Sequence, residues 1–109
     1  MTGLTTHALD TALGTGAEGL AVVLTRDGGT IAEARLDAQG RARLTETLER
    51  GTYELTFSVA DYHRAKGVAI ADPPFLDHVT IRFGVAEPTA HYHVPLLVSP
   101  YGYSTYRGS

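Results

Sequence analysis

Apolar and polar side chains alternate with a period of two along almost the whole chain, and that period sends successive residues to opposite faces of a pleated strand. The pattern is clearest where Tyr53, Leu55, Phe57 and Val59 interleave with Glu54, Thr56 and Ser58. It recurs where Val79, Ile81, Phe83 and Val85 enclose Thr80 and Arg82. Leu20, Val22 and Leu24 mark another strand, stopped by Asp27-Gly28-Gly29, and Ile31 to Leu36 returns as its hairpin partner. Asp37-Ala38-Gln39-Gly40 forms the next turn and leads into a short strand at Arg41 to Leu44. Leu4 to Asp10, His91 to Val98 and Tyr101 to Arg107 bring the set to about eight strands. Only Ala60 to Lys66 departs from the alternation. It reads as one or two helical turns, with Asp61 near the positive end, Lys66 near the negative end and Gly67 as terminator. Parallel sheets would need crossover helices that the pattern lacks, so the expected fold is an all-β two-sheet sandwich with one short helix.

A chain of 109 residues, 43% hydrophobic and 19% charged, can bury one core but not two, which predicts a single domain over residues 1–109. The net charge is -3, with Lys and Arg scattered rather than clustered. That distribution offers no footprint for a phosphate backbone or an anionic membrane, so neither nucleic acid nor membrane is an expected partner. No apolar run approaches the roughly 20 residues that span a bilayer. Met1-Thr2-Gly3-Leu4 lacks the basic and apolar regions of an export signal. With no cysteine, disulfides, thiol nucleophiles and thiolate metal sites are excluded together, and a cytoplasmic location is the expectation.

Candidate chemistry therefore falls to five histidines and a few arginines. In His91-Tyr92-His93 the two imidazoles share one strand face, while Tyr92 and Val94 point to the other. Pro95 and Leu97 lie on the histidine face, and apolar groups beside imidazoles on a supposedly wet face predict that another subunit covers it. His7 is also mid-strand. If the first and last strands neighbour the histidine strand, His7, His93 and Tyr106 converge. Arg41 follows a turn glycine, from which its planar fork of donors reaches across a rim.

The closing stretch, His91-Tyr92-His93-Val94-Pro95-Leu96-Leu97-Val98 through Ser104-Thr105-Tyr106-Arg107-Gly108-Ser109, resembles the C-terminal signature of the 5-hydroxyisourate hydrolases, the transthyretin-related enzymes of urate breakdown. The Tyr-Arg-Gly-Ser ending is the most specific element, because hormone-carrying transthyretins do not end this way. Leu4-Thr5-Thr6-His7-Ala8-Leu9-Asp10-Thr11 is similar to the family's first-strand motif, and Ala38-Gln39-Gly40-Arg41 to its turn plus arginine. The resemblance covers essentially the whole chain, although Ala42 to Glu87 is generic sandwich sequence. It implies a transthyretin-like sandwich that assembles as a homotetramer, a dimer of dimers, with active sites in a channel between dimers. His7, Arg41 and His93 match the catalytic trio. Tyr106 and Ser109 match groups that line the substrate pocket, and His91 is similar to the motif's other histidine.

The implied reaction opens the ring of 5-hydroxyisourate by attack of water on an amide-type carbonyl, yielding an ureidoimidazoline carboxylate. It requires a base of near-neutral pKa, a cation that holds an anionic heterocycle, and donors for the developing oxyanion. Imidazole suits the first task. His93, or His7 and His93 as a pair, is the expected base, and Arg41 the orienting and charge-stabilising cation. No cofactor or metal is required. Against these assignments stands the ordinary expectation that a mid-strand histidine is a surface or satisfied residue, which is where His63 and His78 are left. Arg107 reads equally as an edge-strand solubiliser. A zinc site from His7, His91 and His93 lacks a neighbouring carboxylate, and a Ser104-His93-Asp10 triad lacks the sharp turn that exposes a nucleophile. The rival function is a non-catalytic transthyretin-type carrier of a small ligand.

Overall fold

The computed structural model describes residues 3–108. Its elements in chain order are β1 (Gly3–Asp10), β2 (Thr15–Gly16), β3 (Ala21–Arg26), β4 (Gly29–Arg35), β5 (Arg41–Thr45), β6 (Gly51–Phe57), α1 (Val59–Ala65), β7 (Val79–Val85), β8 (His91–Ser99) and β9 (Gly102–Thr105). One sheet runs β2-β1-β8-β9, with β5 also paired to β1; the other runs β4-β3-β6-β7. β2 meets β1 at Leu9 and Asp10 while β5 meets it from Leu4 to His7, so the two short strands share one edge of β1. β1 and β8 are parallel, and the other pairings are antiparallel.

The expected two-sheet sandwich with one short helix is what the chain forms. Each alternating segment turns its apolar set inward: Leu4 and Ala8 from β1, Val22 and Leu24 from β3, Tyr53, Leu55 and Phe57 from β6, and Leu96 and Val98 from β8 are all buried. Each fully buried Leu, Val or Phe of this set stabilises the fold by about 1.5–3 kcal/mol. The sequence pattern did not disclose β2, whose two residues lie among turn formers. It also assigned Val59 to β6, whereas that residue opens α1.

The turns follow the chemistry of their residues. Asp27 and Gly28 both take positive φ, 52° and 79°, the geometry of a two-residue hairpin turn whose twist matches its strands. Gly67 has a φ of 76°. Its N–H donates to the Arg64 carbonyl (3.0 Å) and the Val68 N–H to that of His63 (3.0 Å), a paired closure that satisfies the last carbonyls of α1.

One buried polar cluster ties the sheets' end to the helix. Asp10, fully buried at the end of β1, accepts the N–H groups of Ala12 (2.9 Å) and Leu13 (3.0 Å) on Oδ1. Its Oδ2 accepts the phenol of Tyr62 at 2.8 Å. Burial and this bond to Asp10 push the Tyr62 phenol well above its ordinary pKa, so the phenol is a permanent donor. Tyr62→Phe, which removes one of the three donors, should lower unfolding stability by about 1.5–3 kcal/mol in urea denaturation. An unchanged midpoint would show that the bond contributes nothing net.

Candidate active site

Burying Leu4, Thr6, Ala8 and Asp10 leaves Thr5, His7 and Leu9 on the outer face of β1. Burying Tyr92, Val94, Leu96 and Val98 likewise leaves His91, His93 and Leu97 on the outer face of β8. A slip of one residue in either strand would bury imidazoles and expose leucines, so packing specifies the register. In that register His7 lies between Arg41 of β5 and Pro95 of β8, and Thr5 lies between Arg43 and His93. Residues directly opposite one another share a sheet face. Arg41, His7 and His93, from three segments distant in sequence, therefore meet on one face of the β5-β1-β8 unit.

Beside them is a concavity of about 310 Å³ lined by Thr5, Asp37, Arg41, Arg43 and His93, among others. The turn before β5 is built to aim Arg41 at it. Asp37 Oδ1 accepts the N–H groups of Gln39 (2.9 Å) and Arg41 (3.0 Å), and the Asp37 N–H donates to the Arg41 carbonyl (3.0 Å). Gly40 has a φ of 78°, and a side chain there would strike the Ala8 carbonyl of β1. Only glycine lets the turn lie this close to the strand. The Arg41 N–H, above all, holds the Asp37 carboxyl below the usual carboxylate range; desolvation opposes it, while the Gln39 N–H and the charges of Arg41 and His7 add to it. The concavity thus has an anionic turn at its rim and guanidinium groups in its wall.

His93 is fixed on two sides. Its Nδ1 is 2.8 Å from Thr5 Oγ1, and the same hydroxyl is 2.9 Å from His91 Nε2. On its other side lies Gly108, where an added Cβ would collide with the His93 ring carbon Cδ2. The Gly108 N–H donates to the His93 carbonyl at 2.8 Å. Partial burial, foremost, and then the positive charges of His7, His91 and Arg41 push the His93 pKa below 6.5, partly offset by the Thr5 backbone. A neutral imidazole beside a guanidinium is the result.

The remaining expected residues are placed less uniformly. His91 joins the cluster through Thr5. The β8–β9 register that pairs Leu96 with Thr105, carried forward, sets Tyr106 opposite Pro95 and Gly108 opposite His93, where a bridge forms. Tyr106 therefore falls on the histidine side by register and is 60% exposed. It does not line the Arg41–His93 concavity; it borders a separate, mainly apolar cleft with Phe83, Tyr92, Val94 and Arg107. Ser109 lies outside the described residues. Arg107 is more than an edge decoration: its guanidinium sits 4.2 Å from the centre of the Tyr92 ring, anchoring the returning segment against β8. Arg107 shares strand parity with Tyr103 and Thr105, opposite to Tyr106, and that spacing is its signal in the sequence. His63 is also not a surface residue. It is 1% exposed, and neither ring nitrogen has a hydrogen-bond partner among the described residues. Thr5, which links the two imidazoles, and Gly108 as backstop escaped sequence reasoning, since neither residue type signals such a role.

Known proteins resemble this chain over nearly its whole length. A family model described as the HIUase/Transthyretin family matches residues 4–108. The 5-hydroxyisourate hydrolase of Caulobacter vibrioides is 54% identical over 100% of both chains. The structure of Klebsiella pneumoniae 5-hydroxyisourate hydrolase superposes with a TM-score of 0.87 at 39% identity, covering 100% of both chains. Sea bream transthyretin in complex with thyroxine gives a TM-score of 0.81 at 31% identity, covering 96% of this chain and 93% of that one. The chain belongs to the HIUase/Transthyretin family.

Proposed function

We propose that the protein hydrolyses 5-hydroxyisourate, with His93 as the general base and Arg41 as the cation that holds the substrate. The observation that carries the reading is the β5-β1-β8 register, which sets Arg41, His7 and His93 on one face beside a concavity. His93 Nε2 takes a proton from water as the water oxygen bonds to the ring carbonyl carbon. The tetrahedral oxyanion is stabilised by the Arg41 guanidinium, whose donors match a carbonyl-rich anion. The carbon–nitrogen bond then breaks, the nitrogen leaves with the proton returned by the imidazolium, and the carboxylic acid that remains releases its proton to solvent as a carboxylate. His7 stands beside Arg41 and polarises or orients the attacked group. Its charge also helps to keep His93 neutral, since neighbouring cations disfavour a second one. His91 and Ser109 are substrate contacts in this reading, and Tyr106, which borders a separate cleft of the single chain, becomes one in the assembled homotetramer.

The site is completed when protomers associate as a homotetramer, a dimer of dimers. Support comes from the outer face itself, where Leu9 and Leu97 are only half-buried beside the histidines. Tyr101, Tyr103 and Leu13, 65%, 48% and 53% exposed, supply further apolar area for such contacts. A cytoplasmic enzyme is consistent with a chain free of cysteine. A non-catalytic small-ligand carrier is the second reading, favoured by the close fold match to a thyroxine-binding transthyretin.

Freshly generated 5-hydroxyisourate followed by ultraviolet absorbance separates the two: a hydrolase accelerates its decay over buffer and a carrier does not. His93→Asn should lose about 10²–10⁴-fold in kcat, the usual contribution of a positioned base. Arg41→Ala should lose most turnover, and both variants should keep the assembly state of the parent by light scattering. Normal rates in both variants would refute the assignment.

The pH profile offers an independent check. His93 must be neutral to accept a proton, and its pKa is held below 6.5. The acid limb of kcat/KM, which reports the free enzyme, should therefore have its midpoint below pH 6.5. A midpoint above that value would contradict His93 as the base.

A further inference from the structure

We propose that Thr5 is a positioning residue whose hydroxyl, bridging His93 Nδ1 and His91 Nε2, keeps the His93 proton on Nδ1 and so presents a bare Nε2 to water. The inference rests on the reading of His93 as the base, and it deepens that reading by naming what selects its tautomer.

A neutral imidazole carries one proton, on either ring nitrogen, and only the bare nitrogen is basic. Nδ1 of His93 is taken up by Thr5 Oγ1 at 2.8 Å, so Nε2 is the nitrogen left to meet a water. A threonine hydroxyl has one proton and two acceptor lone pairs. It stands 2.9 Å from His91 Nε2 and 2.8 Å from His93 Nδ1, so it cannot donate to both rings. Donating to His91, or accepting from both rings, it leaves the His93 proton on Nδ1; only donation to His93 moves that proton. When the hydroxyl proton turns to His91, the hydroxyl oxygen faces His93 and can only accept, which demands Nδ1–H there and leaves Nε2 bare. The opposite orientation demands a bare Nδ1 and puts the proton on Nε2, where no base remains.

The same geometry serves the next step. Once Nε2 has taken the proton of water, the imidazolium Nδ1–H still points at the Thr5 oxygen, which accepts it without rearrangement. Gly108 packs against the Cδ2 edge of the ring, closely enough that any side chain there would displace the imidazole from Thr5. Thr5 reaches both rings because it sits on β1 directly opposite His93 in the parallel register, one diagonal step from His91.

The test combines kinetics with nitrogen chemical shifts. In the unmodified protein, proton-correlated ¹⁵N spectra at a pH where His93 is neutral should show its Nδ1 protonated and its Nε2 bare. A protonated Nε2 overturns the proposal. Thr5→Val removes the hydroxyl at nearly constant shape. It should lower kcat about tenfold or more with KM within about twofold, since the defect lies in the base and not in binding. Thr5→Ser should restore kcat to within about threefold of the parent and return the Nδ1-protonated signal. Should the valine variant fail to fold by circular dichroism, the parent spectrum and the serine variant still decide. If Thr5→Val is as fast as the parent while His93→Asn is inactive, the role of Thr5 is wrong and the base assignment stands. If His93→Asn is itself fully active, the reading beneath it fails instead.

Discussion

The parallel pairing of β1 with β8 is the constraint on which the rest depends. These strands are about 80 residues apart in sequence, and their eight-residue register, from Gly3 opposite His91 to Asp10 opposite Val98, brings the two histidine segments side by side. Leu4 and Ala8 of β1 and Tyr92, Val94, Leu96 and Val98 of β8 face inward, with Thr6 and Asp10 buried beside them and hydrogen-bonded, and this burial locks the register. Everything polar on the outer face then arrives in a fixed pattern. The site is a consequence of core packing, read out on the opposite side of the same sheet.

That arrangement explains how one imidazole is kept neutral at a crowded cationic face. Arg41, His7 and His91 all disfavour a further positive charge on His93, and partial burial does the same. The site spends some of its electrostatic freedom to hold a neutral acceptor next to a permanent cation. Those are the two forms that hydrolysis of an anionic ring needs at once, one to take a proton and one to meet the negative charge that follows. Asp37 contributes from a distance: it shapes the turn through main-chain donors and its charge keeps the guanidinium rim from being uniformly positive.

How far this could be read from the residues alone depended on whether the signal was periodic or relational. Strands such as Tyr53–Phe57 and Val79–Val85 announce themselves, since alternation is a local property. β2 does not, because two residues hold no period. The histidine face was legible by parity, and Arg41 by its turn, but their meeting required the adjacency of β5, β1 and β8, which no single segment encodes. Thr5 and Gly108 were invisible for a related reason: a threonine in a strand and a glycine after Arg107 are ordinary until a distant ring is placed against them. His63 shows the limit from the other side. Its segment reads only as one or two helical turns with charged ends, and packing of α1 against the sandwich is what puts its imidazole out of reach of water.

Pro95 carries a consequence of its own. Lying opposite Tyr106, it has no N–H to offer the carbonyl across from it, and its own carbonyl is engaged by the Thr105 hydroxyl at 2.7 Å. The returning segment is therefore stitched to β8 at Leu96–Thr105 and at His93–Gly108, with a missing rung between the stitches. Arg107, stacked on Tyr92, holds the stretch across that missing rung. The glycine behind the imidazole is thus kept in place by a ring contact on one side and a lone bridge on the other, not by a continuous ladder.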